Sequence, residues 1–179
     1  MLRTQAFRFE TIGLLLAVVI GSTLITPASA HCTKRIKAST PTPQFIDEGS
    51  MVTDRDTRLT WDRCTAGENW KNGRCEGSIK LMSLAAAKKY AETRGGGWRV
   101  PTIEELASII EVRCHDPSIN PAIFPNVRAL VEGRSPYWSS TPFEAIPTMN
   151  YLVDFLTGEI DARSQGFSIG VRLVRGPLP

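Results

Sequence analysis

The side chains of this sequence that could do chemistry are few and widely spaced. Cysteines stand at 32, 64, 75 and 114, histidines at 31 and 115, and adjacent carboxylates at Glu104-Glu105. Four thiols could hold zinc or supply a nucleophile, two imidazoles could act as base or ligand, and a carboxylate pair could share acid–base work. The spacing argues against each. No two cysteines form Cys-x-x-Cys, and there is no Gly-x-Ser-x-Gly elbow, phosphate-cradling glycine loop or His-Glu-x-x-His. With His31 expected at a mature N-terminus, a Ser-His-Asp or Cys-His centre is not expected either. His115 beside Asp116 reads as a solvated or loop-stabilising side chain rather than a metal ligand. The expectation is no catalytic residue, no metal and no cofactor. Calcium is left open, because backbone carbonyls and scattered carboxylates can bind it, although nothing in the sequence calls for it.

An even number of cysteines reads as disulfides if the chain is exported, and its first residues predict export. Arg3 and Arg8 precede an apolar run over residues 12–25, and Ala28-Ser29-Ala30 has the small-x-small form that signal peptidase cuts. Residues 1–30 therefore read as a signal peptide and His31 as the first mature residue. The run is short for a membrane span, so no stable membrane insertion is expected after cleavage. Because His31 precedes Cys32, lipidation is not expected. Four cysteines allow three connectivities. Cys64 and Cys75 flank a small polar loop and form the first expected pair, which leaves Cys32 with Cys114. The chain-entropy estimate gives about 3 kcal/mol for the short loop and about 4–5 kcal/mol for the long one.

Removing Arg3, Arg8 and Glu10 takes the formal charge from +3 to +2, so no basic field argues for a nucleic-acid partner. Residues 31–44 mix lysines and an arginine with Thr-Pro-Thr-Pro and read as an extended linker; residues 45–179 suffice for one domain.

Its elements follow from local signals. Thr102 and Glu105 form a capping box opening a helix over 103–112, with Ile103, Leu106, Ile109 and Ile110 inward. Glu105 is thereby occupied, and Glu104 suits the positive helix end, which removes the carboxylate pair as an acid–base candidate. Pro101 holds Val100 extended, so 98–100 reads as a short strand. Ser83 caps an amphipathic helix over 84–94, with Leu84, Ala87, Tyr90 and Ala91 on one stripe. Met51-Val52-Thr53 and 58–63 read as a hairpin, 137–141 as a strand, 151–155 with 159–163 as a second hairpin, and 169–175 as the closing strand. Pro117, Pro121 and Pro125 make 114–125 an irregular loop pinned by Ile119, Ile123 and Phe124.

Trp98-Arg99-Val100-Pro101-Thr102-Ile103-Glu104-Glu105-Leu106 closely resembles the Trp-Arg-Leu-Pro-Thr-x-x-Glu-Leu signature of the bacterial domain named after the C-terminal region of the Legionella collagen-like protein. Asp54, Thr57, Leu59 and Trp61 match that family's opening Asp-x-x-Thr-Gly-Leu-x-Trp, with Arg58 in place of the glycine. Tyr137 to Thr141 matches its Tyr-Trp-Ser-Ser-Thr, and the end of the chain resembles its terminal Val-Arg-x-Val-Arg. The 64–75 loop resembles a disulfide-closed insertion seen in many members. The resemblance implies an α+β, C-type lectin-like fold: two helices packed on a twisted antiparallel sheet with long ordered loops. It implies function only loosely. The named member is an adhesin for sulfated polysaccharides, and some relatives are diversified ligand-binding proteins of retroelement systems.

The expected function is thus an exported, non-catalytic binding module, adhesin-like or lectin-like, whose partner is an envelope or extracellular glycan or protein. Alternation along the late hairpin assigns its outward residues, Asn150, Leu152, Asp154 and Arg163, to the binding face, together with Phe143 and Glu144 of the loop after Trp138. Arg99 and Arg172 read as structural, pairing with carboxylates. The alternatives are a structural subunit of an envelope or appendage complex and, remotely, an enzyme by analogy with the formylglycine-generating enzymes, which need cysteines where this chain has none. The chain could form homo-oligomers, and periplasm, cell surface and medium are all open to it.

Overall fold

The computed structural model describes residues 30–176; apart from Ala30, the expected signal peptide lies outside the described residues. The chain is α+β. Its elements are β1 (His31–Cys32), β2 (Phe45–Glu48), β3 (Met51–Asp54), β4 (Thr60–Asp62), β5 (Glu68–Lys71), β6 (Arg74–Gly77), α1 (Leu84–Arg94), α2 (Ile103–Ser108), β7 (Cys114–His115), β8 (Pro136–Pro142), β9 (Met149–Asp154), β10 (Glu159–Ser164) and β11 (Val174–Arg175). Instead of one sheet there are two, a three-stranded β10-β9-β8 and a four-stranded β11-β4-β3-β2, with the ribbons β1-β7 and β5-β6 attached. No helix among the described residues is long and apolar enough to cross a membrane.

Local chemistry sets the helices. The Ser83 hydroxyl accepts from Ala86 N–H, α1 buries Leu84, Ala87 and Ala91, and Gly95 at φ +66° ends it. The capping box at Thr102 is present, and Arg99 donates to both oxygens of Glu105 at 2.6 and 2.5 Å. That ion pair is the structural role expected of Arg99. α2 stops at Ser108, four residues short of expectation. Beyond it Ile110 bridges to Ile119, and Glu111 donates its backbone N–H to Ser118 and turns its carboxylate to the N-terminal segment. Tertiary partners have outbid the helical period there.

Both expected disulfides form, Cys64–Cys75 and Cys32–Cys114. The first closes the β5-β6 ribbon, which Asn126 and Arg128 hold down through Cys75 O (2.7 Å) and Glu68 (3.2 Å). Trp70 on that ribbon lies half-buried with the Arg63 guanidinium 4.5 Å from its ring centre. The second bridge anchors the segment read as a free linker. Residues 31–44 are strapped to the domain: β1 pairs with β7, Thr40 is buried, and Asn120 donates to Thr40 O. Composition made this stretch look unable to order itself, but a disulfide and one buried carboxylate order it from outside.

The core has two parts, one on each face of β9. Val153 and Phe155 join Trp61, Leu106, Ile119 and Phe124, whereas Leu152 joins Leu84, Ala87, Trp138 and Val171. The closing strand is reduced to Val174–Arg175. Upstream, residues 169–173 run between the sheets and stitch them, through bridges to Met82 and Tyr137 and through bonds to Ala66 and Asp62. Gly170 permits that passage, because a Cβ there would stand 2.9 Å from Leu130 and 3.1 Å from Pro136 O. Arg172 is fully buried and donates not to a carboxylate, as expected, but to the carbonyls of Asp62 (2.9 Å) and Arg63 (2.5 Å). Residues 98–100 make one bridge, Arg99 to Val174, in place of a strand.

Candidate binding surface

A narrow cleft opens on the Leu152 face of the three-stranded sheet. Val131, Arg134, Leu152, Arg163, Phe167 and Ile169 line it, and its cavity volume is only about 20 Å³. That is room for a water molecule and not for a sugar ring, so a ligand would lie across the mouth. Two turns frame it. One carries Glu132 and Gly133 at positive φ between the bridged residues Val131 and Arg134. The other runs through Phe167, whose N–H donates to Ser164 O, and is fastened where Ile169 exchanges two backbone bonds with Met82.

Arg134 is the strut of this rim. It donates to Asp154 at 2.8 Å and Asp161 at 3.3 Å, with Glu159 at 3.8 Å; the hydrogen bond it gives to Asp154 is the main reason its pKa is raised. Its charge is therefore spent within the protein. Arg163 differs. It is half-buried, its guanidinium lies 5.5 Å from the Phe167 ring centre, and Phe167 is 47% exposed. An aromatic face beside a guanidinium fork can stack on the apolar face of a sugar or on a partner side chain, and can donate in pairs to carboxylate, sulfate or carbonyl oxygens.

The expected site residues do not come together. Asn150 and Asp154 are each 1% exposed and serve the fold. Asn150 donates to Ser139 O and accepts from Gln165, and Asp154 accepts from Ser135 N–H, Leu156 N–H and Arg134. Leu152 is buried and contributes only the cleft floor. Alternation correctly separated the two faces of β9, but it assigned one of them to solvent when both are covered. Phe143 packs edge-on against Tyr151, which belongs to the opposite face, and Glu144 is exposed beyond it. Arg163 alone of the six is both accessible and placed at the cleft. Phe167 and Arg134 were missed; the one signal for Phe167 was an aromatic just after a Ser-Gln-Gly turn, outside any strand.

A larger cleft of about 250 Å³ lies beside Trp98, Lys88 and Glu92. Trp98 already carries the guanidiniums of Arg94 and Arg175 at 4.9 and 5.0 Å, and Arg94 is paired with Asp62. Burial holds the Asp62 pKa up, against the pull of Arg94 and Arg172. The ring and its charges are thus engaged within the domain. Among the described residues no three His, Cys, Asp or Glu side chains gather as a metal site.

The family model of the Lcl C-terminal domain matches residues 50–175. No curated protein and no solved structure matches the chain.

Proposed function

The chain belongs to the Lcl C-terminal domain family, and on that premise we propose that it is an exported, non-catalytic binding module of C-type lectin-like fold. Its partner is a glycan or a protein surface met outside the cytoplasm. The observation that carries this reading is the rim pair Arg163–Phe167. It is an exposed aromatic ring with a guanidinium beside it, the arginine on β10 and the ring on a turn closed by the Phe167–Ser164 and Ile169–Met82 backbone bonds. Two disulfides, both closed, suit an oxidising compartment and a surface that must keep its shape. The small volume of the cleft favours a ligand that lies across its mouth over a small molecule enclosed within it.

The test is a glycan array together with heparin chromatography at low salt, run on the parent chain and on Phe167→Ala and Arg163→Ala. Retention that both variants lose supports the reading with a polyanionic or neutral glycan as ligand. No retention in either format removes the glycan version, and turnover of any substrate by the purified chain removes the non-catalytic one.

A further inference from the structure

We propose that the mature protein binds a divalent copper ion through the α-amine and imidazole of His31 together with the imidazole of His115. The proposal rests on the export reading, since the amine exists only if the chain is cut after Ala30.

The only two histidines of this chain lie 84 positions apart in sequence and directly opposite each other in space. β1 and β7 pair His31 with His115 in register, and the neighbouring pair, Cys32 with Cys114, is locked by a disulfide. Facing residues of an antiparallel pair project to the same side, and here the rings stand 5.2 Å apart between centres and 19° from parallel. Both are exposed, so each can turn about its own side-chain bonds to bring a nitrogen toward a shared ion. His115 Nδ1 lies 3.1 Å from Asp116 Oδ2. A carboxylate on one ring nitrogen fixes the tautomer and leaves Nε2 as the ligand atom. The other charged group lining this open groove, Arg113, sits 3.6 Å from Glu111, which partly offsets its repulsion of a cation.

A terminal histidine is a chelate in its own right, because its amine and Nδ1 close a six-membered ring around one metal. Adding His115 gives three neutral nitrogen ligands with open positions for water. Nitrogen donors in a planar arrangement suit Cu(II), which also stands highest in the affinity order of the divalent first-row ions. The disulfide beneath keeps the two rings opposed whether or not metal is present, so little ordering is required on binding.

Three preparations of the chain separate the parts of the proposal. They are the exported protein, a chain beginning at His31 made by proteolytic removal of a leader, and the same chain with one alanine left before His31. Copper is added alone and followed by electron paramagnetic resonance and by calorimetry. The His31-start chain should take one equivalent with resolved nitrogen hyperfine structure. His115→Ala and the alanine extension should each weaken binding by at least about tenfold, and Asp116→Asn by about tenfold. Equal affinity in the parent and His115→Ala would leave an ordinary terminal chelate and overturn the two-histidine site. Equal affinity with and without the added alanine would overturn the role of the amine. Amino-terminal sequencing of the exported protein decides the other premise: a terminus other than His31 overturns the export boundary, whatever the His31-start chain does with copper.

Discussion

Glu111 grips Thr40 across 71 residues of chain, accepting its backbone N–H at 3.1 Å and its hydroxyl at 3.2 Å on the same carboxylate oxygen. The other oxygen takes the N–H groups of Ser39 at 3.1 Å and Arg113 at 3.3 Å. This one buried carboxylate turns residues 31–44 from a tether into part of the domain.

The first prediction follows from that contact. Burial alone would raise the Glu111 pKa, but the N–H donors of Thr40, Ser39 and Arg113 outweigh it and hold the group below its ordinary value of 4.5. A carboxylate depressed in the folded state contributes stability that is fully present above its unfolded value and is lost as pH falls through the folded one. Glu111→Gln replaces an acceptor with an NH₂ that faces N–H groups, and should lower stability at pH 7 by about 1.5–3 kcal/mol. Urea unfolding at a series of pH values checks it. The difference between parent and variant should shrink below about pH 4.5, and a difference that persists to pH 2 contradicts the assignment.

Arg58 occupies the turn position that is glycine in the family signature, and it sits at φ +59° with its N–H on Asp54 O at 2.8 Å. The left-handed conformation costs an L-residue about 1–2 kcal/mol, part of which glycine gives back in the unfolded chain. Arg58→Gly should therefore stabilise the domain by about 0.5–1 kcal/mol. A thermal melt that moves down instead would mean that the Arg58 side chain makes contacts worth more than the backbone strain.

Arg172 is buried to 0% exposure and holds two carbonyls of the 62–63 segment while its guanidinium lies 4.9 Å from the Phe124 ring centre. It joins the end of β4 to the stitching segment at the centre of the fold. Arg172→Met nearly keeps the volume but leaves both carbonyls without their donor and leaves Asp62 with Arg94 as its remaining cation, and should cost about 2–4 kcal/mol. Arg172→Lys should lose less, since one ammonium can still reach one carbonyl. Denaturant midpoints of the two variants give the order, and a methionine variant as stable as the lysine one would refute it.

Elements whose signals are local could be read directly from the sequence. The capping box at Thr102, the Ser83 cap, the hairpin at Thr157-Gly158 and the short cystine loop each depend on residues within about a dozen positions of one another. What could not be read depends on distant partners. Nothing near Glu111 says that Thr40 will claim its carboxylate and end α2 early, and nothing along β9 says that α1 and the 169–173 segment will cover its second face. The same blindness assigned the buried residues Asn150, Leu152 and Asp154 to an open face. Period-two alternation separates the faces of a strand, but whether a face meets water is decided by elements elsewhere in the chain. Phe167 lies in a turn, where no period applies, and only the fold sets the Arg163 guanidinium beside its ring.

The last prediction separates the residues that hold the surface from those that present it. Asn150 and Asp154 have every polar contact inside the protein, so Asn150→Ala and Asp154→Ala should lower stability by about 1–3 kcal/mol each. Any loss of ligand retention in these variants should follow the fraction unfolded. Arg163 and Phe167 sit at the rim with one face free, and their alanine variants should stay within about 0.5 kcal/mol of the parent, because surface changes away from caps and cores seldom do more. Their retention on heparin or arrayed glycans should fall sharply at temperatures where both are fully folded. Thermal melts and column retention measured on the same four preparations decide the matter. If the loss of retention instead follows the loss of stability through all four variants, the rim has no part in recognition and the binding face must lie elsewhere on the domain.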